Sequence, residues 1–102
     1  MKDKDFLTQD NARLHAFVEG YVQGVGYRFF CMQNAYVFGL SGWVRNLNNG
    51  EVEVLAEGER GNLEKYLEAL HQGPSMAQVR NIRVEWHEWR GEFNGFNPMP
   101  NA

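Results

Sequence analysis

Residues 23–28 combine two glycines with an arginine, and these residue types at this spacing can hold an anion. Gly24 and Gly26 allow backbone turns in which successive N–H groups point into one concavity. Arg28 would follow in the first turn of a helix, whose start adds unpaired N–H groups and the positive end of a dipole. Its planar guanidinium can bind two phosphate oxygens at once. The predicted cradle is the backbone of Gln23, Gly24, Val25, Gly26 and Tyr27, completed by Arg28. Taken alone, such a glycine pair is more often only a turn.

Asn46 is the second residue whose position can contribute chemistry. It follows a predicted strand at residues 42–45 and precedes Asn49-Gly50, the strongest short signal for a hairpin turn. A side-chain amide accepts a hydrogen bond with its carbonyl and donates with its NH₂, so it can hold a nucleophilic water in line with a bound phosphorus. We assign Asn48 and Asn49 to the turn. Asn46 joins the site only if the fold brings it to the glycine loop.

Apolar spacing predicts elements in the order β-α-β-β-α-β. Period-two alternation marks strands near residues 14–22, 42–45, 52–56 and 82–86, and helical spacing marks helices near residues 27–38 and 63–70. This is a ferredoxin-like split βαβ sandwich of the α+β class, with two helices on one face of a four- to five-stranded, mostly antiparallel sheet. Residues 93–97 are candidates for an added edge strand, which Pro98 would end.

The order of these elements has a consequence for the two polar segments. In a split βαβ unit the first two strands run parallel with another strand between them. Their carboxyl ends therefore emerge at one edge of the sheet, and we expect Asn46 to lie beside Arg28.

Length and composition indicate a single small globular domain. The chain has 102 residues, of which 43% are hydrophobic, and its net charge of −3 argues against a general nucleic-acid binder. Residues 1–12 are polar and are predicted to form a flexible extension, which leaves residues 13–102 as the domain. Cys31 is the only cysteine, and no apolar run approaches the roughly 20 residues of a membrane helix. We therefore expect a cytoplasmic monomer that binds neither nucleic acid nor membrane.

Both polar segments resemble signatures of the acylphosphatase family, and the resemblance spans residues 13–97. GYVQGVGYR at residues 20–28 is similar to the family's phosphate loop, and GWVRNLNNGEVEVLAEG at residues 42–58 fits its second signature. The resemblance implies the ferredoxin-like fold and hydrolysis of small acyl phosphates to a carboxylate and inorganic phosphate, which is also the expected inhibitor. It implies that Arg28 binds the phosphate, that Asn46 orients the attacking water and that residues 23–27 form the cradle. Tyr27 stands where Phe is more usual.

This reaction needs few groups beyond those already named. A carboxylate leaving group requires no protonation near neutral pH, so the site needs no general acid. The sequence has no Ser-His-Asp order, no Cys-x5-Arg loop, no Walker motif and no cluster of metal-spaced carboxylates. We therefore expect metal-independent hydrolysis without a cofactor.

Two other functions fit the same fold. One is a non-catalytic ligand- or RNA-binding module with Phe17 and Tyr21 as a stacking platform, although the aromatic RNP1 pattern is missing. The other, suggested by the resemblance, is a domain of a larger carbamoyl-transferring protein. The sequence lacks the zinc-finger cysteines of such a protein, so we expect a free-standing enzyme.

The remaining notable residues are assigned structural roles. Cys31 lies on the apolar stripe of the first helix, which favours a core position over a nucleophile. The three histidines occupy different elements without ligand spacing, which favours surface roles for His15, His71 and His87. Two tryptophans are expected in the helix–sheet core, Trp43 and Trp86. Arg45 alternates to the face opposite Asn46 and is expected in solvent.

Overall fold

Alternating apolar residues form the first strand, as the sequence predicts. The computed structural model describes residues 10–102, and in it β1 comprises Asn11–Tyr21, with Leu14, Ala16 and Val18 completely buried. The other elements, in chain order, are α1 (Tyr27–Val37), β2 (Ser41–Asn46), β3 (Val52–Glu59), α2 (Arg60–Gln72), β4 (Gln78–Glu88) and β5 (Phe96–Pro98). The predicted β-α-β-β-α-β order is confirmed, with a short fifth strand added.

The first strand begins earlier than the predicted domain boundary. Asn11 and Ala12 already pair with Glu59 and Gly58, because β3 continues far enough to give them partners. The expected extension of residues 1–12 therefore does not include its last two residues. Residues 1–9 lie outside the described part of the chain.

β3 lies between β1 and β2 and sets their relative position. The sheet order is β4-β1-β3-β2-β5, and neighbours are antiparallel except for the parallel pair β2 and β5. Val52 of β3 faces Val18 on one side and Asn46 on the other. Since β1 and β2 are both antiparallel to β3, they run parallel to each other, and their carboxyl ends reach the same edge.

Two buried tyrosines join the helices that cover one face of the sheet. The Tyr27 hydroxyl donates to the Leu70 carbonyl at 2.7 Å, and the Tyr66 hydroxyl donates to the Cys31 carbonyl at 2.9 Å. Burial raises the pKa of both hydroxyls above their ordinary value, so they remain protonated donors. The first turn of α1 is thereby tied to the last turn of α2. Among residues 10–102, no helix is long and apolar enough to cross a membrane.

Trp43 lies on the open face of the sheet, which we define as the face that the helices leave uncovered. Val44 and Asn46 are buried positions of β2, so the alternation that places Arg45 on the open face places Trp43 there too. The expectation of a core position for Trp43 is therefore wrong. The Arg45 guanidinium lies over its ring, with Cζ 5.0 Å from the ring centroid. Trp86 does pack against the helix–sheet core, as expected.

Phe17, one of the two residues of the suggested stacking platform, is covered by its neighbours. The Cζ atom of Arg83 lies 5.0 Å from the Phe17 ring centroid, and the His15 ring lies 4.6 Å from it. Phe17 is therefore not an uncovered platform for a base, whereas Tyr21, the other residue of the suggested platform, is 62% exposed.

Residues 89–95, here called the crossing segment, lead from β4 at one edge of the sheet to β5 at the other. Over the open face, Glu57 of β3 accepts hydrogen bonds from the backbone N–H groups of Arg90 at 2.8 Å and Gly91 at 3.0 Å. Arg13, which faces Glu57 from β1, donates to Glu57 at 2.9 Å and to Glu92 at 2.6 Å. Glu57 is only 1% exposed, so these contacts replace water around its charge.

The crossing segment delivers β5 to the outer edge of β2. The fifth strand begins later than the predicted residues 93–97, and it includes Pro98 instead of ending before it. Proline is compatible with an edge strand where no ladder donor is needed, and pairing resumes with the Met99 N–H donating to the Val44 carbonyl at 2.9 Å. The Ala102 N–H donates to the Asn46 carbonyl at 3.0 Å. The residues after β5 thus continue alongside β2 as far as Asn46, the last residue of that strand.

Replacing Glu57 by Ala should destabilise the fold strongly, because Arg13 and the crossing segment share this carboxylate. We expect the free energy of unfolding to fall by about 3 kcal/mol, the scale for removing one partner of a buried ion pair. Urea unfolding monitored by tryptophan fluorescence measures the change. The matched control is Glu64→Ala, since Glu64 forms an exposed pair with Arg60 one helical turn away and should matter little. Equally small effects of the two substitutions would contradict the role assigned to Glu57.

Candidate active site

The loop between β1 and α1 turns on two glycines in left-handed conformations. Gly24 has φ 75° and Gly26 has φ 82°, values that residues with a Cβ adopt only with strain. A Cβ built at either position would meet no atom within 4 Å. The glycines are therefore needed for the path of the backbone, and the space in front of them is open.

This loop presents a run of unused backbone donors. The first hydrogen bond of α1 runs from the Phe30 N–H to the Gly26 carbonyl at 3.0 Å. No N–H from residue 23 to residue 29 has an acceptor in hydrogen-bond geometry among residues 10–102. Gly26, the N-cap, supplies no capping side chain. The N–H groups of the loop and the positive end of the helix dipole are therefore available to an anion.

Arg28 borders a cleft beside these donors. The cleft has a volume of about 370 Å³, and its lining includes Gly24, Arg28, Phe29, Met32 and Pro98. The Arg28 side chain is exposed, and among residues 10–102 no carboxylate lies within ion-pair distance of it. Its charge is therefore directed at solvent or at a ligand of the cleft. Phe29, Met32 and Pro98 add apolar surface.

The Gln23 side chain joins the loop to the end of β2. Its Nε2 donates to the Leu47 carbonyl at 2.8 Å and to the Glu51 carbonyl at 2.9 Å. The two acceptors flank the hairpin turn, which the Leu47 N–H closes onto the Glu51 carbonyl at 2.8 Å. The sequence predicted only a backbone role for Gln23. The side-chain role was missed because its acceptors are main-chain carbonyls, which leave no sequence signal.

Asn46 has a buried carbonyl oxygen that no described residue satisfies. The residue is 9% exposed, and its Oδ1 has no hydrogen-bond partner within residues 10–102. Buried polar atoms nearly always find a partner, so an acceptor left open at a site edge calls for a donor such as water. Asn46 does not line the cleft itself. It lies on the helix-facing side of β2, immediately before the residue that Gln23 binds.

Residues 14–98 match the family model described as Acylphosphatase. The chain belongs to the acylphosphatase family. A relative named acylphosphatase from Thermus thermophilus is 49% identical over 85 residues, which cover 83% of this chain and 96% of the relative. The resemblance of the two signatures to this family is thereby confirmed.

Solved acylphosphatase structures share the fold. The crystal structure of acylphosphatase from Bacillus subtilis superimposes with a TM-score of 0.84 at 34% identity, covering 86% of this chain and 98% of that one. The structure of an acylphosphatase from Coxiella burnetii superimposes with a TM-score of 0.84 at 33% identity, covering 97% of this chain and 100% of that one. The ferredoxin-like α+β assignment is confirmed.

In this acylphosphatase domain the one cysteine is a core residue, as expected. Cys31 is fully buried on the core-facing side of α1, one turn after Arg28. Burial raises the pKa of its thiol far above the ordinary value, which keeps it protonated and poorly nucleophilic. The position next to the phosphate loop therefore does not make Cys31 a nucleophile.

Glu51 is the acidic residue next to the loop anchor, and Arg83 pairs with it. The Arg83 Nη1 lies 2.5 Å from Glu51 and 2.8 Å from Glu19. Hydrogen bonding by Arg83 holds the pKa of the Glu51 carboxyl below its usual range. Because this carboxylate stays paired with a guanidinium, it adds little repulsion to an anion at the loop.

Proposed function

We propose that the chain hydrolyses the carboxyl–phosphate bond of small acyl phosphates to a carboxylate and inorganic phosphate, without a metal ion. One observation carries the proposal. The free loop N–H groups and Arg28 lie at the end of β1. At the same edge of the sheet, the end of β2 holds a buried amide oxygen, Asn46 Oδ1, that has no partner among residues 10–102. An anion-binding loop and a water acceptor at one edge of the sheet are the minimal equipment for attack of water on a bound phosphoryl group.

The loop and Arg28 hold the phosphoryl group. The N–H groups of residues 23–29 point their partial positive charge at the oxygens, and the helix dipole adds to it. Arg28 binds two of these oxygens with its planar fork. In phosphoryl transfer the negative charge is spread over the equatorial oxygens, so donors fixed around them stabilise the transition state.

Asn46 positions the attacking water. Its Oδ1 accepts a hydrogen bond from one O–H of the water, which leaves a lone pair of that water directed at phosphorus. The new bond forms between the water oxygen and phosphorus while the bond from phosphorus to the acyl oxygen breaks. The electron pair leaves with the carboxylate, and a phosphate oxygen takes the proton released by the water. No protein acid is needed, because a carboxylate is stable near neutral pH.

The cleft suits a small acyl group. Its volume of about 370 Å³ holds the phosphate and a short acyl chain or one ring, such as acetyl or benzoyl phosphate. Phe29, Met32 and Pro98 offer apolar contact to the acyl part. Inorganic phosphate, the product, binds the same donors and inhibits. We further infer a cytoplasmic monomer from the composition.

Asn46→Ala should abolish most of the turnover while leaving phosphate binding in place. We expect kcat for benzoyl phosphate to fall by about 100-fold or more, because the nucleophile loses its orientation. The inhibition constant of inorganic phosphate should change little. Steady-state assays in the presence of a chelator measure both quantities and test metal independence with the wild-type chain. Asn48→Ala is the matched control, since Asn48 is an exposed residue of the hairpin. Unchanged turnover in Asn46→Ala would remove the water-orienting role.

Arg28→Ala should damage phosphate binding as well as turnover. The bidentate contact is lost in the ground state and in the transition state, so the inhibition constant of phosphate rises and kcat/KM falls. Arg28→Lys should recover only part of this loss, because a lysine keeps the charge without the fork. Arg90→Ala removes an exposed arginine elsewhere and serves as the control for net charge. Undiminished phosphate inhibition in Arg28→Ala would overturn the assignment.

A further inference from the structure

Two histidines and a glutamate come together on the open face of the sheet, away from the phosphate loop. His15 of β1 lies directly opposite Glu85 of β4, and His87 lies two residues further along the same strand. His87 Nε2 is 3.1 Å from Glu85 Oε1, and His15 Nδ1 is 3.9 Å from the same oxygen. One potential ligand atom from each residue lies within 4.8 Å of the others.

A buried carboxylate orients the His15 ring toward this cluster. Glu53 is 7% exposed at its side chain, and its Oε2 lies 2.7 Å from His15 Nε2. The other oxygen of Glu53 accepts from Arg45 Nε at 2.7 Å. Since a carboxylate accepts, Nε2 carries the proton in the neutral ring, and Nδ1 presents its lone pair to Glu85 and His87. A carboxylate behind a histidine is the arrangement that supports metal-binding imidazoles.

We propose that His15, Glu85 and His87 bind one divalent late transition-metal ion, with Zn²⁺ as the representative occupant. Imidazole nitrogen and carboxylate oxygen are ligands that zinc prefers. Tetrahedral bonds of about 2.1 Å place ligand atoms about 3.4 Å apart, and the two histidine contacts to Glu85, at 3.1 and 3.9 Å, lie on either side of that spacing. Glu85 and His87 are about half exposed, so they can adjust to the ion, and the fourth position faces solvent.

The metal site is separate from the proposed catalysis. The cluster lies on the sheet face opposite to α1, whereas the phosphate loop leads into α1. The enzyme can therefore hydrolyse acyl phosphates in the presence of a chelator whether or not the metal site exists, and each proposal can fail without the other. The sequence indicated no ligand spacing for these histidines because they stand on strands far apart in the chain. What His15 and His87 share in the sequence is an outward-facing position in the alternation of their strands, and these two strands pair in the fold.

Zinc titration of the full chain tests the proposal. Protein stripped with chelator and transferred to chelator-free buffer is titrated with Zn²⁺ against a chromophoric competitor. We expect one tight equivalent in the wild type, a loss of affinity by more than about tenfold in His87→Ala, and a loss of about 10- to 100-fold in Glu53→Gln. His71→Ala, an exposed histidine of α2, is the matched control and should bind as the wild type does.

Two further measurements check that the variants are folded and that the metal binds at this cluster. His87 is half exposed, so His87→Ala should keep the urea midpoint of the wild type and remain interpretable even where Glu53→Gln unfolds. Adding Co²⁺ should broaden the imidazole resonances of His15 and His87 before that of His71. Equal zinc affinity of the wild type and His87→Ala, no zinc binding by the wild type, or broadening centred elsewhere would each overturn the proposal.

Discussion

Val52 pairs with Val18 on one side and with Asn46 on the other, and the geometry of the site depends on this shared partner. The pairing fixes how far β2 extends relative to the loop that leaves β1. A slip of one residue between β2 and β3 would turn Asn46 to the open face. The two hydrogen bonds of the Gln23 side chain hold the loop at this register. The position of the proposed water acceptor is thus a consequence of sheet pairing.

Buried polar contacts on both faces of the sheet hold the walls of the cleft. On the helix side, the Tyr27 hydroxyl anchors the first turn of α1 to Leu70, and the next residue is Arg28. On the open face, Glu57 binds the crossing segment, which carries β5 and hence Pro98 to the cleft. Such contacts specify one arrangement because an unpaired buried donor or acceptor is costly.

Local patterns in the sequence were enough to predict the main elements of the fold. Alternation and helical spacing place the six main elements, and the Asn49-Gly50 turn fixes the central hairpin. The element order then brings the loop and Asn46 to one edge. Contacts between residues far apart in the sequence left no such pattern. The hydrogen bond of Gln23 to Leu47, the hydrogen bonds of the crossing segment to Glu57 and the proximity of the His15 and His87 rings all depend on which strands lie side by side. The incorrect prediction of a core position for Trp43 was avoidable, because Trp43 and Arg45 are two residues apart on one strand and must share a face.

Titration of the ¹⁵N-labelled chain with inorganic phosphate, monitored by two-dimensional NMR, tests most directly whether this loop is the phosphate site. If the free N–H groups hold the phosphoryl oxygens, the backbone amides of residues 23–29 shift saturably, and the shifts are much weaker in Arg28→Ala. The Asn46 side-chain amide should respond with them. Saturable shifts confined to another part of the surface, with the loop amides unmoved, would contradict the assignment of the phosphate to this loop.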